Sequence, residues 1–195
     1  MADALTLWLL AQAQAGKLEP TIAGGPPSFT GVLGQQVFDT KYGLTWWWDG
    51  SAWHANGPGL IRSRICQSTS QSVPNTTITR ITFDTVNYAG LASMNGGSAP
   101  NAITVPIAGV YHIDYAGSWA NPVSNRMLVY LYQSGGEASR AIDIYAPIAF
   151  AGGSDNLQAN AGDYFQVLVY QANGGAVSTS VGTPNSHLSV TFVSS

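Results

Sequence analysis

The stretch Ile103-Thr-Val-Pro-Ile-Ala-Gly-Val-Tyr-His-Ile113 constrains this chain more than any other. From Tyr111 the apolar residues alternate through Ile113 and Tyr115 to Trp119. A period of two is the mark of a strand with one face in a core. Pro106 has no N–H to give to a strand ladder, and Gly109 marks a bend or a close backbone approach. The spacing predicts a strand ending near Val105, a turn over residues 106–109, and a second strand running from Val110 to the region of Trp119.

The same punctuation recurs from residue 60 to residue 195. Short apolar runs separated by Gly, Asn and Ser predict one all-β domain. Residues 61–66, 84–88, 138–146 and 188–192 read as strands, the last with Leu188, Val190 and Phe192 inward. Residues 77–83 alternate loosely, with Ile81 and Phe83 inward, while 67–75 and 89–101 read as loops. Two runs are apolar on both faces. In Arg126-Met-Leu-Val-Tyr-Leu-Tyr132, Met127, Val129 and Leu131 point one way, and Leu128, Tyr130 and Tyr132 the other. Residues 164–170 behave alike. An outer strand of a lone sandwich is expected to be polar on its solvent face. The second face of both runs is therefore expected to be covered by a neighbouring subunit.

Composition points the same way. Charged residues make up 9% of the 195, against about 25% in ordinary soluble domains. Such a surface has few charges to keep copies apart. A net charge of −3 with seven Lys and Arg argues against a nucleic-acid partner, which needs clustered cations. No apolar run reaches the ~18 residues of a membrane-spanning helix, so no membrane insertion is expected. The single cysteine, Cys66, reads as a buried small hydrophobe.

Ahead of the β domain lie three shorter pieces. Residues 1–16 are rich in Ala, Leu and Gln, close on Gly16, and predict a helix that is apolar around most of its circumference. Leu5, Trp8 and Leu9 are its expected anchoring residues. Asp3, and no Lys or Arg, precedes the apolar run, so a retained N-terminus is expected rather than a signal peptide. Residues 17–33 hold Pro20, Gly24, Gly25, Pro26 and Pro27 and predict a semi-extended linker.

Residues 34–57 form a small Trp-rich β-hairpin unit: strands at 37–39, 44–48 and 51–54, with a tight turn at Asp49-Gly50. Its tryptophans serve either as packing plates in a core too small to fill otherwise, or as platforms on which sugar rings stack. Packing is the preferred reading for the group, and Trp46 and Trp47 are the candidates for glycan contact.

Chemistry is hard to find. His54, His112 and His187 lack metal-ligand spacing. Asp143, Asp155 and Asp163 lie near loops without the spacing of a calcium motif. No Gly-x-Ser-x-Gly elbow or phosphate-cradling glycine loop is present. No catalytic residue, cofactor or metal is expected, and the chain does not read as an enzyme.

Two resemblances carry the functional reading. Asp39, Thr40, Trp48, Asp49, Gly50 and Trp53 resemble a hairpin module recurrent in bacteriophage tail-fibre and other virion proteins. Residues 60–195 resemble the C1q/TNF-like jelly roll. Ile81-Thr-Phe-Asp84 and Tyr88 match its early strand; Val105, Pro106, Gly109, Tyr111 and Ile113 match its central signature; Leu157, Gly162, Asp163 and Val167 match its Leu-x-x-x-x-Gly-Asp-x-Val step. Ser186-His187-Leu188 departs from the family's Phe-Ser/Thr-Gly closing motif.

The second resemblance implies a ten-stranded sandwich that assembles as a homotrimer, with Met127, Val129, Tyr130, Tyr132, Leu168 and Tyr170 expected at the interface. The expectation is a non-enzymatic structural protein of a bacteriophage virion: a trimeric fibre, spike or capsid-decoration protein. Its N-terminus would attach to other virion proteins and its head would meet host surface glycan. The alternative is a secreted C1q-like, lectin-type recognition protein, although the chain has no collagen-like stalk. A polysaccharide-degrading spike is a third reading, which would need a paired carboxylate site.

Overall fold

The computed structural model describes residues 24–55, 59–95, 101–123, 125–145, 148–181 and 186–195. The expected helix over 1–16, with Leu5, Trp8 and Leu9, lies outside them. The described chain is almost entirely β, and it forms two compact units. One comprises the described residues up to Leu60 together with Phe192–Ser195; the other is Ile61–Thr191.

The first unit is a three-stranded antiparallel sheet of β1 (Gln36–Asp39), β2 (Leu44–Trp48) and β3 (Trp53–Ala55). Asp39 organises its first turn. Its fully buried carboxylate accepts bonds from the N–H groups of Gly25 (2.9 Å), Lys41 (2.9 Å) and Tyr42 (3.2 Å), and from the indole of Trp46 (3.3 Å). A buried carboxylate is tolerated only with such donors. The third strand begins two residues later than the expected 51. Asp49 draws the Ser51 and Ala52 N–H groups, each at 2.7 Å, into a turn and so withholds them from the sheet.

The second unit contains β4 (Arg62–Cys66), β5 (Ser72–Val73), β6 (Thr79–Arg80), β7 (Thr85–Ala89), β8 (Ile103–Thr104), β9 (Gly109–Val123), β10 (Arg126–Gln133), β11 (Gly136–Tyr145), β12 (Ile148–Ala159), β13 (Tyr164–Gln171) and β14 (Val177–Ser178). It also holds most of β15 (His187–Ser194). One sheet runs β11-β10-β13-β6, with β8 on the end of β13; the other runs β12-β9-β15-β4-β7. The two face each other. Tyr111, Ile113, Tyr115 and Trp119 of β9 are buried with Met127, Val129 and Leu131 of β10 and Phe165, Val167 and Val169 of β13. The approach is close at Gly117, where a Cβ would stand 2.8 Å from Val169 and 3.1 Å from Val129.

The turn ahead of β9 is fastened by the strand it launches: the Tyr111 hydroxyl donates to the Ile107 carbonyl at 2.8 Å. β12, unassigned from the sequence, is a twelve-residue strand paired along β9. Its Gly-Gly-Ser-Asp-Asn segment lacks the residues that favour strands. The neighbouring backbone explains the glycine: at Gly152 a Cβ would lie 2.6 Å from the Tyr115 carbonyl oxygen.

Candidate functional site

Two surfaces are candidates. The first is the outer face of β11-β10-β13-β6. Strand periodicity divides β10 as the sequence predicts, but the two faces fare differently. Met127 and Val129 are fully buried inside their own sandwich, where the Trp119 indole N–H points at the Met127 sulfur. Their expected place in a subunit interface is corrected: side chains with no exposed area in one chain have none to give a partner. The outer face is also largely covered from within, with Leu128 at 2% and Tyr130 at 5% exposure. A neighbouring subunit is thus not required to explain the second apolar face of β10. Tyr132, Leu168 and Tyr170 remain half-buried.

Register lines up the side chains of this face. Arg140 of β11 stands opposite Tyr130 of β10, Tyr130 opposite Leu168 of β13, and Leu168 opposite Arg80 of β6. The Arg140 guanidinium lies 5.0 Å from the Tyr130 ring centre, and that of Arg126 lies 5.9 Å from Tyr170. Tyr130 and Tyr132 meet edge to face at 6.3 Å. Glu137 pairs with Arg140 at 3.0 Å at the rim. Burial pushes the Tyr130 hydroxyl pKa upward, and Arg140 partly offsets it.

The second surface lies on the hairpin unit. Trp46 is 1% exposed and bonded to Asp39, so its candidacy for glycan contact is overturned: it is core. Trp47, one residue on and on the opposite face, is 37% exposed. The His54 ring tilts against it, centre to centre 5.1 Å. His54 Nε2 lies 2.9 Å from Asp49 Oδ2, and Nδ1 lies 3.2 Å from the Ser195 main-chain oxygen. Both neighbours are acceptors, so only the doubly protonated ring satisfies both. The Ser195 oxygen and then Asp49 raise the His54 pKa. The N–H groups of Ala52 and Ser51 hold the Asp49 carboxyl well below the usual carboxylate range.

Elsewhere, an open cleft of about 210 Å³ is lined by Ile65, Phe83, Asp84, Thr85, Val86, Asn95, Asn101 and Ala102. Burial works to raise the Asp84 carboxyl. Hydrogen bonds from Ser68 and Thr69 outweigh it and bring the pKa down to about 2. His112 meets Asn156 at 2.9 Å on an exposed strand face. Cys66 is buried, which pushes its thiol pKa up. Among the described residues no three His, Cys, Asp or Glu side chains gather as a metal site. The Arg–Tyr row was missed from the sequence, because its members come from four strands and only register joins them.

Comparison with solved structures identifies the fold. The chain is similar to Eiger TNF from S. frugiperda (TM-score 0.50, 12% identity), with 68% of this chain and 91% of that one covered. It is similar to murine APRIL at pH 5.0 (TM-score 0.54, 13% identity), covering 68% of this chain and 98% of that one. The globular domain of zebrafish complement 1qA also aligns, at 0.47 and 13%, over 68% and 95%. The first two carry the conclusion that the fold is a TNF-like jelly roll. No protein-family model matches the sequence, and no curated protein matches it.

Proposed function

We propose that the chain is a non-enzymatic structural protein of a bacteriophage virion, a homotrimeric fibre, spike or capsid-decoration protein with the jelly roll as its head. One observation carries the reading: a compact unit built on Asp39 and the Trp48-Asp-Gly-x-x-Trp53 turn precedes a TNF-like sandwich in a single chain. The first part resembles virion hairpin modules, and the second is a fold suited to a projecting head. Homotrimerisation rests on the C1q/TNF-like resemblance and on the scarcity of charge. Tyr88 and Phe150, both exposed on strands of β12-β9-β15-β4-β7, offer aromatic surface on which such an assembly would close. Attachment would run through residues 1–16, and Trp47 would be available to host glycan.

A secreted recognition head is the second reading, favoured by the likeness to Eiger TNF and APRIL. Immunogold electron microscopy of phage particles against the purified chain separates the two: label on a capsid or tail is expected, and unlabelled particles would overturn the virion reading. Light scattering should give three times 20.5 kDa; a stable monomer would remove the trimer.

A further inference from the structure

The row Arg140–Tyr130–Leu168–Arg80 has a chemistry that the sandwich itself does not need. We propose that the outer face of β11-β10-β13-β6 binds an acidic polysaccharide whose sugar rings carry carboxylates, with Arg80, Arg126 and Arg140 as anion contacts and Tyr132 and Tyr170 as ring platforms. The inference does not rest on the virion reading; it requires only that this face be open.

Charge is the first argument. The chain holds seven Lys and Arg against ten Asp and Glu. Three of the seven stand on this one face: Arg80 beside Leu168, Arg126 over Tyr170, and Arg140 over Tyr130. Two acids share the face: Glu137 sits at the rim, paired with Arg140, and register places Asp143 opposite Leu128. A net-acidic protein thus presents a local cationic surface, which fits an anion.

Spacing is the second. Adjacent strands lie about 4.8 Å apart, so the backbones of Arg140 and Arg80, three strands apart, are separated by about 14 Å. A single small anion does not span that distance; a polymer with a charge on each repeat does.

Tyr132 and Tyr170 are half-buried and lie on the face of the sheet. Peptides are ordinarily taken at a sheet edge or in a groove, whereas these two tyrosines stand on the central strands β10 and β13. An aromatic surface with hydroxyls and guanidinium forks suits a sugar ring and its carboxylate. The Arg140–Glu137 pair is no obstacle. Both side chains are about 40% exposed, and such pairs are weak enough to exchange for a ligand carboxylate.

The test is affinity electrophoresis of the full chain through gels containing polygalacturonate, neutral dextran or polyglutamate. Retardation by polygalacturonate alone is expected, weakening as salt is added. Arg80→Gln and Arg140→Gln should each weaken it by up to about five-fold, and together by up to about twenty-fold. Arg80 is exposed, so that variant separates binding from folding, which circular dichroism checks. Absence of retardation, equal retardation by polyglutamate, or an unchanged double variant would each overturn the proposal. So would a changed mass in light scattering, because the face would then join copies of the chain.

Discussion

The Val105 N–H donates to the carbonyl oxygen of Asp163 at 2.9 Å, and the N–H of Gly162 returns a bond to the Val105 carbonyl at 2.9 Å. The two motifs that resemble the C1q/TNF signature, one around Pro106 and one at Gly162-Asp163, are thus one structural device. Gly162 adopts φ +91°, where a side chain would be strained. The Asp163 carboxylate then accepts bonds from the Asn160 N–H (2.8 Å), the Ser134 hydroxyl (2.8 Å) and the Gln133 amide (3.1 Å), tying the β10–β11 hairpin to this loop.

Those donors, with Asn160 and Ser134 foremost, hold the Asp163 carboxyl below its ordinary value. A depressed folded-state pKa gives stability that is present above the unfolded value of about 3.9 and lost as pH falls through the folded one. Asp163→Asn should lower stability at pH 7 by about 1 kcal/mol, a figure kept small because the group is partly solvated. The variant should also lose less on acidification than the parent. Melting temperatures from pH 7 to pH 2 check this; parallel curves would contradict it.

Val129→Asp places a charge in the closed interior of one sandwich, beside Gly117 and Val169. The expected cost is several kcal/mol, as for any unpaired buried charge. Far-ultraviolet circular dichroism should report loss of the fold itself. A folded protein with only its assembly changed would place Val129 at an interface after all.

Trp46 and Trp47 should behave oppositely. Trp46→Ala removes a buried indole and one donor to Asp39, at a cost of about 3–5 kcal/mol to the hairpin unit. Trp47→Ala should leave stability nearly unchanged. Urea denaturation followed by fluorescence compares the two, and equal losses would refute the assignment of faces.

His54 should titrate above its ordinary 6.5, because the Ser195 oxygen and the Asp49 carboxylate both favour the charged ring. With the folded value raised, its contribution to stability is full below the unfolded pKa and lost as pH rises through the folded one. A nuclear magnetic resonance titration of the imidazole checks the direction. A value at or below 6.5 would mean that the two contacts do not persist in solution.

Strand period alone makes the division of β10 visible: Met127, Val129 and Leu131 separate from Leu128, Tyr130 and Tyr132 without any structure. What covers each face was not visible, because Arg140, which lies over Tyr130, belongs to another strand and arrives through a hairpin with two register shifts. β12 was hidden for a different reason. Gly152 follows from the backbone of β9 that it must accommodate, which no local pattern records. The three adjacent tryptophans gave their alternation correctly, yet exposure chose Trp47 over Trp46 because Asp39 claims the latter.

Ser195 bonds to Ala55 twice: its N–H donates to the Ala55 carbonyl at 3.1 Å, and its hydroxyl accepts from the Ala55 N–H at 2.9 Å. Of the two compact units, the one translated earlier therefore lacks part of its own structure until residue 195 has been made. At about 5–20 residues per second, the sequence separation of 140 between Ala55 and Ser195 takes on the order of ten seconds to translate. For that interval the edge of β3 is open to any other nascent chain, and crowding of ribosomes on one message would decide whether it finds its own Ser195 or a neighbour's.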